Sequence, residues 1–448
     1  MQNGKLDVVT FLNKPIACEC GKTHFAGIRT LEISKGAVEK VAVIVKDGGY
    51  KKPFVVSDRN TQAIAGATVL KNLIVAEIPH SSFVFADSKL VPDEAAIGRL
   101  LMNYDPTCDL IIGVGAGTIN DVCRFLSYQL GMQYYIVATA PSMDGYASSV
   151  APLIKNNLKT TFECQAPTAI IADLDILAEA PREMIAAGFG DVVGKYSCLA
   201  DWKLSAIIND EYYCSRVADL TRRSLEKTVE LRAGIANGDR DAIEELMKAL
   251  LLSGVAISYV GNSRPASGSE HHIAHFWEMR MLWEGKEPIF HGTKVGIAFM
   301  LVSQLYDYLR TTEVNLQALQ DVQTPSLETW TAAVERVFSH GAAEIISLEE
   351  KAGKNDPERH QKRLESIVTN WGEIRQALEL VPTPDCVRQL LESVHAPVYP
   401  ADVEFEQLLV HDALLYAKEI RNRYTVLQLL WDMGLLQQFA RKLVASLE

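Results

Sequence analysis

The fold is decided by the segment LIIGVGAGTIND, residues 110–121. Its first residues are apolar and predict a buried strand. Glycines follow at once, and from Thr118 onward apolar residues recur at the spacing of a helix. A strand that turns over glycines into a helix presents bare backbone N–H groups and the positive end of the helix dipole. The segment therefore predicts a phosphate-binding turn in an α/β sheet.

The glycine spacing leaves an alternative open. No third glycine completes the GxGxxG of the standard dinucleotide fold, and no Gly-Lys-Ser/Thr closes a P-loop. An ordinary tight turn between a strand and a helix is the competing interpretation.

A second loop supports the ligand-binding interpretation. The apolar run at residues 134–138 is followed by TAPSMDG, residues 139–145. Small hydroxyl residues with Pro and Gly at a strand's end are typical of a ligand-facing loop. Asp144 in this loop is either a carboxylate near a substrate or a turn residue.

Histidines are concentrated further along the chain, in SEHHIAH (residues 269–275) and FHG (residues 290–292). His271 and His275 are four positions apart, so on a helix both face the same side. His291 and Asp191, in GFGD (residues 188–191), come from other segments. Imidazoles and a carboxylate suit a divalent cation, and three protein ligands leave one position open for a substrate. A chance cluster of surface histidines is the alternative, since the chain has 10 histidines.

The periodicity of the chain changes once. Short apolar runs at residues 54–57, 72–78, 109–114, 134–138 and 168–172 predict the strands of a parallel sheet covered by helices. After Pro181 helical patterns take over, at residues 242–258, 333–346 and 408–440. The charged stretch at residues 351–363 predicts a solvated loop or helix end. We expect an α/β nucleotide-binding domain at residues 1–183 and an all-α domain that binds metal and substrate at residues 184–448, with the site in the cleft between them.

Taken together, these motifs resemble the sn-glycerol-1-phosphate dehydrogenases. That family belongs to the superfamily of iron-type alcohol dehydrogenases, glycerol dehydrogenase and dehydroquinate synthase. The APSMDGYAS loop (residues 140–148) is the most specific match, because alcohol dehydrogenases of the superfamily carry a different loop there. The other matching pieces are FVVSD (54–58), GAGTIND (115–121), GFGD (188–191), SEHHIAH (269–275), FHG (290–292) and IRNRYT (420–425). The resemblance implies a dehydroquinate synthase-like fold, a Rossmann-like domain followed by a helical domain.

The resemblance also implies a nicotinamide cofactor. Asp58 would hold the adenosine ribose hydroxyls; a carboxylate there repels a 2′-phosphate and favours NAD(H), although this branch often accepts NADP(H) as well. The diphosphate would lie on Gly115, Ala116, Gly117, Thr118 and Ile119. The nicotinamide half would be lined by Thr139, Ala140, Pro141, Ser142 and Ser148.

One divalent metal, bound by Asp191, His271 and His291, is implied as well. Nickel or zinc is favoured over iron, because iron-type alcohol dehydrogenases usually have a histidine four residues after the aspartate, where this chain has Lys195. The catalytic and substrate-facing residues would be His275, Asp144 and Asp191, with His275 as the general acid. The substrate phosphate would need a cation, for which Arg264 and Lys195 are the candidates.

The implied reaction is the metal-dependent, NAD(P)H-linked reduction of dihydroxyacetone phosphate to sn-glycerol 1-phosphate, and its reverse. A glycerol dehydrogenase-type polyol oxidoreductase is the nearest alternative and differs in whether cations receive a phosphate. A dehydroquinate synthase-like cyclase is less favoured, because the PSMDG loop argues against it. A non-catalytic nucleotide- and metal-binding protein is the remaining alternative.

Composition restricts the partners. The formal net charge is −12 and no basic stripe is visible, so nucleic acid is not an expected partner. The apolar stretches are too short to cross a bilayer, and residues 1–10 contain no long apolar run of a signal peptide. We expect a cytoplasmic enzyme that acts on a small phosphorylated molecule in phospholipid metabolism; from the family, a homodimer is expected.

The segment CECGKTH, residues 18–24, contains two thiols and an imidazole. These groups could bind zinc, but Cys-x-Cys is a poor zinc-knuckle spacing and no fourth ligand lies nearby in the sequence. A β-turn with incidental cysteines is therefore the favoured interpretation. Most of the 8 cysteines are expected to be reduced and buried.

Overall fold

The computed structural model describes residues 8–87, 90–156 and 158–447. The chain divides into two compact units, Met1–Val192 with Asp219–Ser263, and Val193–Ala218 with Arg264–Glu448. The first unit therefore takes in residues 219–263, which the sequence analysis assigned to the second domain. Residues 1–7, most of the segment considered above for a signal peptide, lie outside the described residues.

All the strands of the described chain belong to the first unit. They are β1 Ile16–Ala17, β2 Thr23–His24, β3 Thr30–Ser34, β4 Pro53–Asp58, β5 Ser81–Phe85, β6 Leu110–Gly115, β7 Tyr134–Ala138, β8 Val150–Lys155, β9 Leu158–Glu163 and β10 Ala169–Asp173.

The central sheet has six parallel strands in the order β3-β10-β7-β6-β4-β5. Strands β6, β7 and β10 are buried along their whole length, as expected of a sheet that helices cover on both faces. The chain steps outward from β4 to β5 and then in the other direction from β6 to β7 and β10. The order therefore reverses between β4 and β6, and open α/β sheets bind ligands at such a point, beyond the carboxyl ends of the strands.

Twenty-one α-helices complete the described chain. The first unit contains α1 Val41–Asp47, α2 Arg59–Thr61, α3 Ala67–Val75, α4 Glu94–Met102, α5 Gly117–Gln129, α6 Leu174–Ala178, α10 Arg232–Asn237 and α11 Arg240–Val260, with most of α7 Arg182–Val193 and α9 Ser215–Glu230. The second unit contains α8 Lys195–Asn209, α12 Ser269–Trp283, α13 His291–Thr311, α14 Leu327–Phe338, α15 Ala342–Ala352, α16 Pro357–Thr369, α17 Trp371–Leu378, α18 Pro384–Glu392, α19 Gln407–Tyr416, α20 Val426–Asp432 and α21 Leu436–Ala445.

Four of the five predicted strands are confirmed, as β4, β6, β7 and β10. The strand predicted at residues 72–78 is wrong, because this run forms the end of α3 and the turn after it. Val69 and Leu73, four positions apart, and Ile78 are all buried in the core under the sheet. A short apolar run does not by its period distinguish a buried helix from a buried strand. Strands β3 and β5 and the antiparallel β8–β9 hairpin were not predicted.

In the second half of the chain the described residues after Asp173 contain no strand, as predicted. The helix predicted at residues 333–346 is interrupted at Ser339, which has a φ of 43° between α14 and α15. The prediction of a solvated segment at residues 351–363 is wrong in part. Residues 353–356 form a loop, but Lys354, His360 and Arg363 are buried. The guanidinium of Arg363 donates two hydrogen bonds of 2.8 Å to the carboxylate of Asp432.

None of the described helices combines the length and apolar character needed to cross a membrane.

Candidate active site

The glycine turn has the predicted strand–turn–helix form. Strand β6 ends at Gly115, and α5 begins at Gly117 after Ala116. No side chain caps this helix terminus, so its first N–H groups are left for a ligand or water. A Cβ on Gly115 would lie 2.6 Å from Cβ of Ile119, so the turn closes only with glycine there.

Asp58 lies at the carboxyl end of β4, the neighbour of β6 in the sheet. Ser57 of β4 is in register with Val114 of β6, so Asp58 and the glycine turn share one edge of the sheet at the reversal of strand order. One carboxylate oxygen of Asp58 accepts the N–H of Thr61 at 2.8 Å and caps the helix that follows. Because a carboxylate has two oxygens, this cap leaves acceptor capacity for a ligand.

The loop after β7 is buried and fixed by one arginine. Thr139, Ala140, Ser142, Asp144 and Ser148 are at most 9% exposed. Arg124, fully buried on α5, donates to the carbonyl oxygens of Gly145, Tyr146 (3.1 Å) and Val150 (3.0 Å). Sequence reasoning missed Arg124, because an arginine within a helical pattern is normally assigned to the surface.

Helix α7 packs against the same loop so closely that there is no room for a side chain at Gly188. A Cβ on Gly188 would lie 1.8 Å from the carbonyl oxygen of Pro141. One turn later on α7, the carboxylate of Asp191 accepts the backbone N–H of Asp144 at 3.0 Å. Asp191 is completely buried. The first unit thus brings the backbone of Asp144 and the carboxylate of Asp191 together. Their roles toward a substrate remain predictions.

In the second unit three of the four singled-out histidines form a cluster. The ring centroid of His291, at the start of α13, is 5.2 Å from that of His271 and 5.4 Å from that of His275, both on α12. The rings of His271 and His275 are 5.9 Å apart. His272 points elsewhere, and both of its ring nitrogens are buried without a hydrogen-bond partner among the described residues.

Two of these rings carry a carboxylate on the Nδ1 side. Nδ1 of His271 is 2.7 Å from Glu270, and Nδ1 of His291 is 2.8 Å from Glu278. When Nδ1–H donates to a carboxylate, the ring lone pair is on Nε2, which is the usual arrangement of a metal-binding histidine. Burial raises the pKa of Glu270, but hydrogen bonds from His271 and Ser197 lower it by more, and the net shift is downward. Glu270 is therefore ionised at neutral pH and can accept the Nδ1–H of His271.

The third ring, His275, has a different partner. Nη2 of Arg421 lies 3.0 Å from Nδ1 of His275 and can only donate to it. Nδ1 is therefore the acceptor, and in the neutral ring the proton is on Nε2. This contact distinguishes His275 from the two rings with carboxylate partners and leaves Nε2–H to donate a hydrogen bond. Its role as the general acid remains a prediction.

Helix α12 is anchored at its first residue by Asp201. One oxygen of Asp201 accepts both the N–H and the hydroxyl of Ser269 at 2.7 Å, and the other accepts the hydroxyl of Tyr306 at 2.8 Å. Burial, with the charge of Glu270 next, raises the pKa of Asp201 to about 6. The position of the histidines thus depends on a buried carboxylate that sequence reasoning missed.

The two basic candidates for the substrate phosphate already have structural partners in the second unit. Arg264 is 4% exposed and donates to Glu211 at 2.8 Å and to the carbonyl oxygen of Tyr424 at 2.7 Å. Nζ of Lys195 donates to the carbonyl oxygen of Ala266 at 2.9 Å. Their roles toward a substrate remain predictions.

Two other arginines, in the IRNRYT segment, were not assigned a role from the sequence. Burial lowers the pKa of Arg421 to about 10. Burial, and then the charges of Arg421 and Arg264, hold the pKa of Arg423 well below its ordinary value. Nη1 of Arg423 is buried without a hydrogen-bond partner in the part of the chain that the structure describes. Buried cations that raise one another's energy in this way favour an anionic ligand.

We expect Glu278→Gln to weaken metal binding by about 10- to 100-fold, the usual effect of removing a partner of a metal-binding histidine. The amide oxygen can still accept the Nδ1–H of His291, but it lacks the negative charge that strengthens this hydrogen bond and the basicity of the ring. Titration of the stripped protein with metal measures the change, and Glu284→Gln, on the exposed end of α12, is the control. Equal affinities for wild type and Glu278→Gln would contradict the orientation argument.

Comparison of the sequence with known proteins identifies the family of this chain. Residues 32–181 match the family model of the iron-containing alcohol dehydrogenases. The chain is 34% identical to the glycerol-1-phosphate dehydrogenase (NAD(P)+) of Halalkalibacterium halodurans over 92% of this chain and 94% of that one. The chain belongs to the glycerol-1-phosphate dehydrogenase family. The corresponding protein of Bacillus licheniformis is 32% identical over 96% of both chains.

Solved structures agree with this membership at the level of the fold. Glycerol dehydrogenase from Schizosaccharomyces pombe superposes with a TM-score of 0.58 at 13% identity, over 94% of this chain and 91% of that one. NADH-dependent butanol dehydrogenase A from Thermotoga maritima gives 0.59 at 12% identity, over 92% of this chain and 96% of that one. This member of the glycerol-1-phosphate dehydrogenase family therefore has the Rossmann-like plus helical fold that its sequence predicts.

Proposed function

We propose that the protein reduces dihydroxyacetone phosphate to sn-glycerol 1-phosphate with NADH or NADPH, and catalyses the reverse reaction. The observation that carries the proposal is the match to glycerol-1-phosphate dehydrogenases along nearly the whole chain. The carboxylate, imidazole and guanidinium groups described above supply the chemistry that this reaction needs.

The cofactor is proposed to bind at the edge of the sheet where the strand order reverses. Asp58 holds the adenosine ribose, which favours NAD(H) over NADP(H). The diphosphate lies on the uncapped turn at Gly115, Ala116, Gly117, Thr118 and Ile119, and the nicotinamide half lies along Thr139, Ala140, Pro141, Ser142 and Ser148. The support is the uncapped start of α5 beside the end of β4.

One divalent metal is proposed to bind to Asp191, His271 and His291. The donor set fits, because the Nδ1 atoms of both rings face Glu270 and Glu278, which puts the ring lone pair on Nε2, and the ligand atoms of His271 and His291 lie within 4.8 Å of each other. The carboxylate of the proposed set comes from Asp191, near the end of α7.

Nickel or zinc is favoured over iron, because Lys195 stands where the iron enzymes usually have a histidine. When bound, the metal polarises the substrate carbonyl as a Lewis acid and the nicotinamide supplies the hydride. As the proposed acid group, His275 donates a hydrogen bond from Nε2–H to the carbonyl-derived oxygen, with Arg421 holding this tautomer at Nδ1. The proton that completes the alcohol comes from solvent, because loss of the Nε2 proton would leave the neutral ring as an imidazolate. Asp144 and Asp191 are the proposed substrate-positioning carboxylates.

The phosphate of the substrate is proposed to bind to Arg421 and Arg423, with Arg264 adding positive charge. Nη1 of Arg423 supplies a buried donor, and Arg421 already contacts His275. A phosphate dianion satisfies both and relieves their mutual repulsion. Because Arg421 contacts both the phosphate and His275 in this arrangement, a substrate without the phosphate binds more weakly and is less well aligned with His275.

The test is a steady-state comparison of dihydroxyacetone phosphate with dihydroxyacetone, on protein stripped of metal and reloaded with nickel, zinc or iron. We expect no turnover before reloading and a preference of roughly 100-fold or more for the phosphorylated ketone, since two charge-assisted hydrogen bonds of about 1.5 kcal/mol each give about that factor. Equal rates with both ketones would instead support the glycerol dehydrogenase alternative. Metal-independent turnover would contradict the proposed mechanism.

The setting of the reaction is part of the same proposal. The enzyme works as a cytoplasmic homodimer, and its product enters phospholipid metabolism.

A further inference from the structure

We infer that Cys20, with His24 as its base and Cys18 as the second thiol, is a redox-active site that reacts with low-molecular-weight disulfides such as oxidised glutathione. All three residues lie in the first unit, and none belongs to the proposed active site. The sequence alone favoured incidental cysteines, because the spacing in CECGKTH is poor for zinc. Two thiols beside an imidazole have a second chemistry, since a thiolate is also a nucleophile.

The two thiols are brought together by one short hairpin. Strands β1 and β2 are joined by a turn in which Cys18 donates its N–H to the carbonyl oxygen of Lys22 at 3.1 Å, and Gly21 donates to that of Cys18 at 3.1 Å. Gly21 has a φ of +83°, which lets the chain reverse directly after Cys20. The predicted β-turn is therefore confirmed, and it holds the sulfurs of Cys18 and Cys20 within 4.8 Å of each other.

The imidazole of His24 is placed to take the proton of Cys20. Sγ of Cys20 lies 3.4 Å from Nε2 of His24, which is a hydrogen-bond distance for sulfur. Nδ1 of His24 lies 2.9 Å from the carbonyl oxygen of Tyr259, which can only accept, so Nδ1 carries the proton of that hydrogen bond. In the neutral ring Nε2 therefore holds the lone pair, on the side of the thiol.

The ring of His24 is also fixed in its orientation. It is 1% exposed and stacks on the ring of Tyr259, with centroids 5.2 Å apart and an angle of 14° between the planes. Tyr259 is near the end of α11, in the same unit. A nucleophile within reach of a base that a third group orients is the arrangement of activated thiols. We therefore expect Cys20 to react as the thiolate.

A small reagent can reach these sulfurs. Cys18 and Cys20 are partly exposed, whereas four of the other six cysteines are buried. The neighbours of Cys20 in the turn, Glu19 and Gly21, are both exposed. Because burial in apolar surroundings makes a thiol inert, the hairpin thiols are the accessible ones that also have a base beside them.

The reaction is a thiol–disulfide exchange in two steps. His24 takes the proton of Cys20, and the thiolate attacks one sulfur of oxidised glutathione. A mixed disulfide forms on Cys20, and the first glutathione leaves as a thiol with the proton from His24. Cys18 then attacks Sγ of Cys20, and its proton goes to the second glutathione, which also leaves as a thiol. The dithiol is thus oxidised to a Cys18–Cys20 disulfide, and one glutathione disulfide is reduced.

The test incubates the full-length protein with excess oxidised glutathione and locates the modified cysteines by peptide mass spectrometry. We expect a Cys18–Cys20 disulfide in wild type that dithiothreitol reverses, and a stable mixed disulfide on Cys20 in Cys18→Ser. His24→Gln should slow the thiolation of Cys20 by roughly threefold to tenfold, since an amide does not take the proton. Cys386→Ser, which removes an exposed thiol on α18, is the control and should leave the wild-type result unchanged.

A wild type in which Cys18 and Cys20 stay reduced while Cys386 carries glutathione would overturn the inference, and this outcome does not depend on whether any variant folds. Oxidation of the two thiols only after a chelator is added would also contradict it, because a metal would then occupy them. A disulfide between Cys20 and a third cysteine would remove the role of Cys18. None of these outcomes depends on activity with dihydroxyacetone phosphate, so the result is independent of the proposed function.

Discussion

Replacing Arg423 by methionine is expected to lower kcat/KM for dihydroxyacetone phosphate by roughly tenfold, the value of one charge-assisted hydrogen bond of about 1.5 kcal/mol, while the value for dihydroxyacetone changes by less than about threefold. The reason is the buried Nη1 of Arg423, which has no hydrogen-bond partner among the described residues. A phosphate gives this donor a charge-assisted bond, and an unphosphorylated ketone does not. The loss should therefore appear only with the phosphorylated substrate.

The same substitution should affect stability in the opposite direction. Because burial and two neighbouring arginines hold the pKa of Arg423 well below its ordinary value, the folded protein binds this proton less tightly than the unfolded chain does. At pH 7 the charged Arg423 therefore costs the fold stability; this cost is constant below the folded pKa and decreases as the pH rises from the folded pKa toward the ordinary value of the unfolded chain. We expect Arg423→Met to raise Tm in the absence of phosphate, and inorganic phosphate to raise the Tm of wild type but not of the variant.

Arg388→Met is the matched control, since Arg388 lies on α18 and pairs with Glu392 at the surface. It should change neither the kinetics nor the response to phosphate. An Arg423→Met variant in which kcat/KM falls equally for dihydroxyacetone phosphate and dihydroxyacetone would show that Arg423 maintains the fold of the site and does not bind the phosphate. If inorganic phosphate left the Tm of the wild type unchanged, the proposed anion site would be contradicted directly.

The parts of the site that could be predicted from sequence are local. The strand, the glycine turn and the start of α5 are contiguous, so hydrophobic period and glycine position were sufficient. The same holds for His271 and His275, since helical spacing alone brings them to one side. His291 was matched through the family motif, and the ring distance of 5.2 Å to His271 agrees with a shared site in the second unit.

The parts that could not be predicted depend on contacts between distant segments. Arg421 meets His275 across 146 positions, and nothing in IRNRYT indicates which ring it contacts. Asp201 reaches the start of α12 from another helix. Glu278 had a weak signal, since it lies seven residues after His271 on the same face of α12. Such contacts arise from tertiary packing, which hydrophobic periodicity does not encode.

Replacing Gly188 by alanine is expected to cost the fold about 3 kcal/mol or more, at or above the upper end of ordinary overpacking. The added Cβ would lie 1.8 Å from the carbonyl oxygen of Pro141 and 2.9 Å from its carbonyl carbon. Both atoms belong to the backbone, so no side chain can rotate away. Either α7 or the loop at residues 139–148 must move by more than an ångström. Thermal unfolding should show a Tm lower by several degrees.

The same displacement should also lower the catalytic rate. Asp191 lies one turn after Gly188 on α7 and accepts the N–H of Asp144, at the centre of that loop, at 3.0 Å. A shift of about 1 Å in a positioning group can lower a rate by about 100-fold, so we expect Gly188→Ala to lose kcat by that order even where it remains folded. Metal titration should show weaker binding, because Asp191 is a proposed ligand.

Gly98→Ala is the control, since Gly98 lies within α4 and an added Cβ there meets no atom within 4 Å. In a helix this substitution should stabilise by up to about 1 kcal/mol and leave kcat unchanged. If Gly188→Ala also kept the wild-type Tm and kcat, the loop would be free to move away from α7 at no cost. The close approach of helix and loop would then be irrelevant to the alignment of Asp144 and Asp191.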